Sequence, residues 1–299
     1  MSAIEIPSVP QGPEPASEPA LVLRAEGRQA SRWYRQPALM AGIVILAVVV
    51  GLALAAPLIT SYNPIAQNLN GSLLGPSAHH LLGTDQLGRD TFTRLLYGLR
   101  LDLRIAFLAV LFPFVLGTVL GLLAGYFGGW TDTVIMRIVD IVVAFPFYVL
   151  IIALVFVLGP GERSIYIAIT AVGWVAYARI IRGEILVAKR QDYVMAARSG
   201  GLSNMRIMRR HLLPNVITQA FIYGMSDIVQ DILAIVTLGY LGLGIPPPTA
   251  DLGSMINDGQ NFLSTHWQLT TIPGLAVVLV GLGLSLVGDG LADLLRPGQ

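Results

Sequence analysis

Residues 38–60 run for 23 positions without a charged side chain. At 1.5 Å per residue a helix of that length extends roughly 34 Å, enough to cross a hydrocarbon core of about 30 Å. Inside lipid every backbone N–H and C=O must be satisfied by the chain itself, which restricts a spanning run to a helix or a closed barrel. Further apolar runs lie near 104–127, 134–158, 164–181, 215–243 and 268–290, so the sequence predicts an all-α polytopic membrane protein with six transmembrane helices. A cleaved leader competes for the first run, because Ala53-Leu54-Ala55 mimics a cleavage site; the run is longer than a leader core and its preceding tail is too long. Charged residues make up only 12% of the chain, about half the share of an ordinary soluble domain, which agrees with burial in lipid.

The polar segments set the organisation. Residues 1–37, rich in Pro, Glu and Arg without periodicity, read as a disordered cytoplasmic tail. Residues 38–60 are the first span and 61–102, rich in Gly, Asn and Asp, an extracytoplasmic segment. Residues 103–293 hold the other five spans and a basic loop at 182–214, and 294–299 form a second cytoplasmic tail. The 182–214 loop carries Arg182, Lys189, Arg190, Arg198, Arg206, Arg209 and Arg210, whereas 61–102 carries Arg89, Arg94 and Arg100 beside three aspartates. The positive-inside rule then puts 182–214 in the cytoplasm and, with six spans, both termini too. Gly117, Gly121 and Gly125 line one face of the second span, a pattern that lets helices approach closely in a bundle.

Several classes of chemistry fall away. A net charge of +1 offers no electrostatic footprint for nucleic acid. With no Cys there is no disulfide, thiol nucleophile or thiolate metal site. Lys189, the single lysine, follows Ala188, so no Gly-Lys phosphate loop exists and no nucleotide cofactor is expected in this chain. The histidines, His79, His80, His211 and His266, form no metal motif, and the vicinal pair reads as a loop feature.

The most elaborate polar stretch is DYVMAARSGGLSNMRIMRRHLLPN, 192–215. Asp192 suits an N-cap for a short helix over 193–199, Gly200 and Gly201 suit its end, and Ser203 suits the cap of a second helix. Met205, Met208 and Leu212 share a face of that second helix, with Arg206, Arg209 and Arg210 directed elsewhere. Pro214 suits the start of the next span. Two helices joined at a glycine turn make a compact knob. Read from the residues alone, it is either a docking knob or a topological loop whose arginines meet anionic lipid.

The order Ala196-Ala197, Gly201, Leu213-Pro214 resembles the EAA loop of ABC-importer permeases, with Met195 where that family has Glu. The likeness extends over most of 75–290. LLGTDQLGRDTFTRLLYG, GLLAGYFGGWTDTVIMRIVDIVVAFP, WVAYARIIRGEILVAKRQDYVMAAR and YLGLGIPPPTADLG resemble, in family order, the dipeptide, oligopeptide and nickel branch. Ile235 stands where an acidic residue commonly precedes the LGLG segment, and the C-terminal GDGLADLLRPG departs from the usual charge pattern. The resemblance implies the type I importer fold and a multi-pass place in a bacterial inner membrane. It also implies a set of partners: a homologous second permease completing the pore, two cytoplasmic ATPases carrying ATP and magnesium, and an extracytoplasmic substrate-binding protein. The cargo would be a peptide, with nickel or another small solute as the alternative. Ala196, Ala197, Arg198, Gly201, Leu213 and Pro214 would then form the ATPase-coupling loop. A secondary transporter would more often show repeated halves, and an intramembrane enzyme would need a nucleophile or metal set; neither is apparent in the sequence.

Charges inside or beside the spans are the remaining signals. Asp227 and Asp231, one turn apart in the fifth span, fall at mid-membrane depth, and two readings stay open: lining the pore to attract a cationic group, or pairing with the second permease. Arg137 and Asp140 are expected in an ion pair within or between helices. Asp85, Arg89 and Asp90 are expected to cap and fold the external loop. Asp251 and Asp258 are expected in the last external loop, in a position to face incoming substrate.

Overall fold

The computed structural model describes residues 36–295; the remainder of the two tails lies outside the described residues. Among the described residues the regular structure is helical. In chain order the helices are α1 (Pro37–Leu54), α2 (Ala56–Ile59), α3 (Thr91–Phe127), α4 (Gly129–Val143), α5 (Phe147–Leu158), α6 (Glu162–Ala188), α7 (Asp192–Ser199), α8 (Asn204–Ile207), α9 (Leu213–Tyr240), α10 (Leu252–Gln260) and α11 (Gln268–Leu295). Five helical runs are long and apolar enough to cross a bilayer, or six if α4 and α5 together count as one span. Large apolar side chains point outward, Phe107 at 65% and Val157 at 82% exposure among them, as a surface meant for hydrocarbon or for another membrane helix requires.

The expected third span at 134–158 is broken. Its halves α4 and α5 meet at an 88° bend. The cause is Pro146, which lacks an N–H and whose ring would strike the carbonyl of Val142 in a continuous helix; it also turns Phe145 away from helical backbone.

Helix α3 is longer than expected. It starts at Thr91, so the last three turns of the supposed external segment 61–102 are helical. Asp90 begins it, accepting from the backbone N–H of Thr93 at 2.7 Å and from its hydroxyl at 2.6 Å. The polar residues that make this stretch look like loop are held from outside the helix. Arg94 donates to the carbonyls of Pro64 and Pro248, and Asp102 accepts from the backbone N–H of Leu252 at 3.0 Å. Helix α6 likewise runs on to Ala188, taking the first seven residues of the expected 182–214 loop.

Helices α3 and α6 pack with almost no space between them, and the Gly117, Gly121 and Gly125 stripe is why. A Cβ on Gly121 would lie 2.5 Å from the Ala178 carbonyl oxygen, and one on Gly125 would lie 2.8 Å from Ile185 Cβ. Helix α9 lies against α3, α6, α10 and α11, while α1 pairs with α11. One apolar core joins α1, α3, α5, α6, α9 and α11; a second, around Tyr177, Ile181, Ile207 and Leu212, joins α3, α6 and α9 to the short helices α7 and α8. The bundle thus has a knob end, formed by α7 and α8, and a loop end, formed by residues 60–90 and α10.

The loop end is pinned by charge. Asp85 accepts from Arg89 Nε at 2.6 Å, and Arg89 reaches on to Asp258 of α10 at 3.2 Å. The expected capping and folding roles of Asp85, Arg89 and Asp90 are therefore what the structure has. Asp251 does not face outward as expected: it is 1% exposed and caps α10, accepting from the Ser254 N–H at 2.9 Å. Burial pushes its carboxyl above the ordinary carboxylate range, against the pull of its hydrogen bonds from Ser254 and Gly253.

Candidate coupling surface and polar interior

The knob is closed by backbone geometry. Helix α7 ends in a Schellman arrangement: the N–H of Leu202 donates to the Ala197 carbonyl at 3.2 Å and that of Gly201 to the Arg198 carbonyl at 3.0 Å, with Gly201 at φ +76°. Gly201 is the residue that makes the sharp reversal possible, whereas Gly200 has φ −74° and needs no special freedom. Asp192 is not the N-cap. Gln191 occupies that place, and Asp192 sits in the first turn, where its charge favours the helix dipole while Arg198 does so in the last. Ser203 takes the N-cap place of α8 without a capping side-chain bond.

Beyond α8 the chain does not stop at Pro214. A π-helical turn over Met208–Leu212 carries it into α9, so 204–240 is a continuous helical run. Pro214 lies in the first turn of α9, where it costs little because the wide turn before it already lacks regular bonding. The buried face of this run is Ile207, Met208 and Leu212; Met205, expected with them, is 58% exposed. The π turn accounts for the change, since one extra residue in a turn rotates the two parts of the run relative to each other.

The knob is held to the ends of three long helices. Tyr126 of α3 donates to Asn204 at 2.8 Å and lies under the Arg198 guanidinium, 5.7 Å from its ring centroid. Lys189 caps the Gly125 carbonyl at 2.8 Å, and Val194 is fully covered. Of the six residues singled out, Ala196, Arg198, Gly201 and Pro214 are exposed while Ala197 and Leu213 are half-buried and pack on the core beneath. Met195 stands exposed at the front of the knob. Beside it a shallow groove is lined by Ser203, Met205, Arg206, Arg209, Arg210 and Pro214, so the outward surface is basic with two methionines at its edge.

The elbow between α4 and α5 creates a second feature, a cleft towards α6 and α9 lined by Phe145, Phe147, Val175, Arg179, Tyr223 and Gln230 among others. Arg179 pairs across it with Asp140 at 2.9 Å, so the expected ion pair of Asp140 is interhelical and leaves Arg137 without a bonded partner among the described residues. Asp227 lies between Tyr223 and Gln230 on the same face of α9. Asp227 and Asp231 do not line an open surface and do not face outward to another subunit: they are 3% and 1% exposed within this chain. Asp227 accepts from the Tyr177 hydroxyl at 2.7 Å. The partner on α6 that sequence reasoning missed is thus a tyrosine in an apolar run, with no local signal to mark it.

A bundle with five or six helical runs long and apolar enough to cross a bilayer and a polar knob at one end is the architecture of a multi-pass membrane protein. The chain belongs to the family described as the binding-protein-dependent transport system inner membrane component, whose model matches residues 117–299; residues 27–76 match the N-terminal transmembrane domain of oligopeptide transport permease C. It is 40% identical over 256 residues to the dipeptide transport system permease protein DppC of Alkalihalophilus pseudofirmus, spanning 86% of this chain and 84% of the relative. It is 36% identical over 290 residues to the di/tripeptide transport system permease protein DppC of Pseudomonas aeruginosa, spanning 95% of this chain and 96% of the relative. Among solved structures, a chain of the MetNI methionine ABC transporter in an inward-facing conformation superposes with a TM-score of 0.52 at 18% identity, covering 68% of this chain and 97% of that one. An amino acid ABC transporter chain gives 0.51 at 18% identity, covering 66% and 91%. The protein is therefore a multi-pass inner-membrane permease subunit of an ABC importer, a machine that also comprises ATPase and substrate-binding components.

Proposed function

We propose that this chain is one half of the pore of a peptide importer and that its knob receives the stroke of a cytoplasmic ATPase. A second, homologous permease supplies the other half, two ATPase subunits bind and hydrolyse magnesium-ATP, and a substrate-binding protein delivers the peptide on the opposite face. The knob end and both termini are cytoplasmic, in line with the basic residues gathered there. This chain carries no hydrolytic step of its own. The peptide reading rests on the dipeptide and di/tripeptide transport named for relatives that span nearly the whole chain.

One observation carries the coupling role: α7 and α8 are closed by the Schellman turn and tied to α3, α6 and α9, so a push on the knob is passed to three helices at once. Ala196, Arg198, Gly201 and Pro214 present the contact surface, with Ala197 and Leu213 seating it. The elbow cleft, with Arg179, Tyr223 and Gln230 on its walls, is the wall offered to the passing peptide; Asp227 and Asp231 stand beneath it. Because the chain has no Cys, single-cysteine variants give clean crosslinks. Met195→Cys or Ala196→Cys should crosslink to an ATPase subunit carrying a cysteine in its docking groove and arrest peptide uptake, with recovery on reduction. Absence of crosslinking in an assembled, transporting complex would overturn the coupling role. Competition of labelled dipeptide uptake by nickel but not by peptides would overturn the cargo.

A further inference from the structure

Asp231 is 1% exposed in the middle of α9, and neither carboxylate oxygen meets a donor. Each of the other buried aspartates among the described residues has at least one oxygen bonded, although Asp102 Oδ1 and Asp251 Oδ2 are also unmet. Asp85 holds Arg89, Asp90 holds His80 and the Thr93 N–H, Asp102 accepts from Leu252, Asp251 caps α10 and Asp227 accepts from Tyr177.

The ionisable groups that face Asp231 are Asp227 one turn earlier on the same face, Tyr223 of α9, Tyr177 of α6 and Tyr148 of α5. No Arg, Lys or His among the described residues forms an ion pair with either aspartate. Of the charges on the other helices packed against α9, Arg179 of α6 reaches the elbow cleft but is paired with Asp140, and Arg182 is paired with Asp132. The rest lie towards the ends: Arg94, Arg100, Asp102 and Arg104 of α3, Glu162 and Arg163 of α6 and Asp258 of α10 at the loop end, Glu184 of α6 and Asp289 and Asp293 of α11 at the other.

A bare carboxylate in such surroundings is strongly disfavoured, and a second one at i−4 adds repulsion. A metal ion would need a set of acidic or His ligands, and no group of three or more occurs among the described residues. A proton removes both penalties and needs no extra room. We propose that Asp227 and Asp231 form a buried proton-binding pair, in which Asp231 is held as a neutral carboxylic acid one helical turn from Asp227. The Tyr177 hydroxyl of α6 donates to Asp227 at 2.7 Å and so ties the pair on α9 to α6 beside the elbow cleft. Loss of that proton would place two like charges between the helices and loosen this contact.

Infrared difference spectroscopy between the wild-type complex and its Asp231→Asn variant, both in lipid at neutral pH, tests the assignment. The wild type should show the carbonyl band of a protonated carboxylic acid that the variant lacks, and the variant should assemble in normal yield, since the amide matches the acid in shape and charge. A variant that instead loses carboxylate bands would overturn the proposal, and sensitivity of those bands to sodium or potassium exchange would assign the site to a metal ion. Failure of Asp231→Asn to assemble would equally count against it, because a neutral isostere should be tolerated.

Discussion

Arg182 of α6 closes a two-pronged ion pair on Asp132 of α4, with Nε 2.5 Å from Oδ1 and Nη2 2.6 Å from Oδ2. The two side chains are 31% and 20% exposed, between surface and interior. The planar fork matches the carboxylate in a way a lysine cannot. Arg182→Lys and Asp132→Asn should each destabilise the attachment of α4 by about 1 kcal/mol, with a coupling of similar size in the double variant. Thermal unfolding of the detergent-solubilised complex measures this, and additive losses would mean that the pair does not act as a unit.

Gly201 and Gly200 stand side by side in the knob yet should respond differently. Gly201 has φ +76° with open space where a Cβ would go, so a side chain there meets backbone strain and no collision. Gly201→Ala should cost about 1 kcal/mol and Gly201→Val more, while Gly201→Asn, which tolerates this conformation, should be close to neutral. Gly200→Ala should be harmless, because its Cβ would lie 3.4 Å from the Ala196 carbonyl, an ordinary contact. Co-purification of the ATPase subunits should fall in the order of that strain.

The α3–α6 seam makes the opposite prediction, collision without strain. Gly121→Val should abolish folded protein in the membrane, since its Cβ would force two helix backbones apart; overpacking costs of about 1–3 kcal/mol per site are a floor here. Gly51→Val, on α1 with nothing within 4 Å, should be accepted at normal yield. Fluorescence-detected gel filtration of membrane extracts separates the two outcomes.

Much of this architecture is legible in the sequence because lipid imposes simple rules. Uncharged runs of sufficient length mark the spans, and the Gly117, Gly121 and Gly125 stripe marks the closest helix pair. What the sequence hides is non-local. Arg94 and Asp102 look like loop residues until Pro64, Pro248 and Leu252 are seen to satisfy them, so the start of α3 is displaced by more than ten residues. Pro146 is a local signal for the elbow, overridden in a reading that weighs hydropathy alone. At the candidate coupling surface the glycine turn is readable, whereas the π turn that exposes Met205 is not, because one extra residue in a helical turn leaves no compositional trace. For Asp227, depth is readable and burial is not, since its donor Tyr177 lies fifty residues away.

Asp251 offers a pH test at the loop end. Its carboxyl is held above the ordinary range chiefly by burial, so the folded chain keeps that proton to higher pH than the unfolded chain does. Linkage sets the sign: where the unfolded state binds fewer protons, stability falls as pH rises. Asp251's contribution is thus fully present below the ordinary aspartate value, near pH 4, and declines as pH rises through the folded value. Asp251→Asn retains an N-cap side chain and has no charge to bury, so it should remove this decline while sparing the cap. Asp251→Ala should remove the cap as well and cost about 1 kcal/mol at every pH. Unfolding of the three complexes across an acid-to-neutral series should show the wild type losing ground to Asp251→Asn as pH increases. A constant difference between them would mean that the carboxyl is ionised throughout and that its burial is compensated by Arg94.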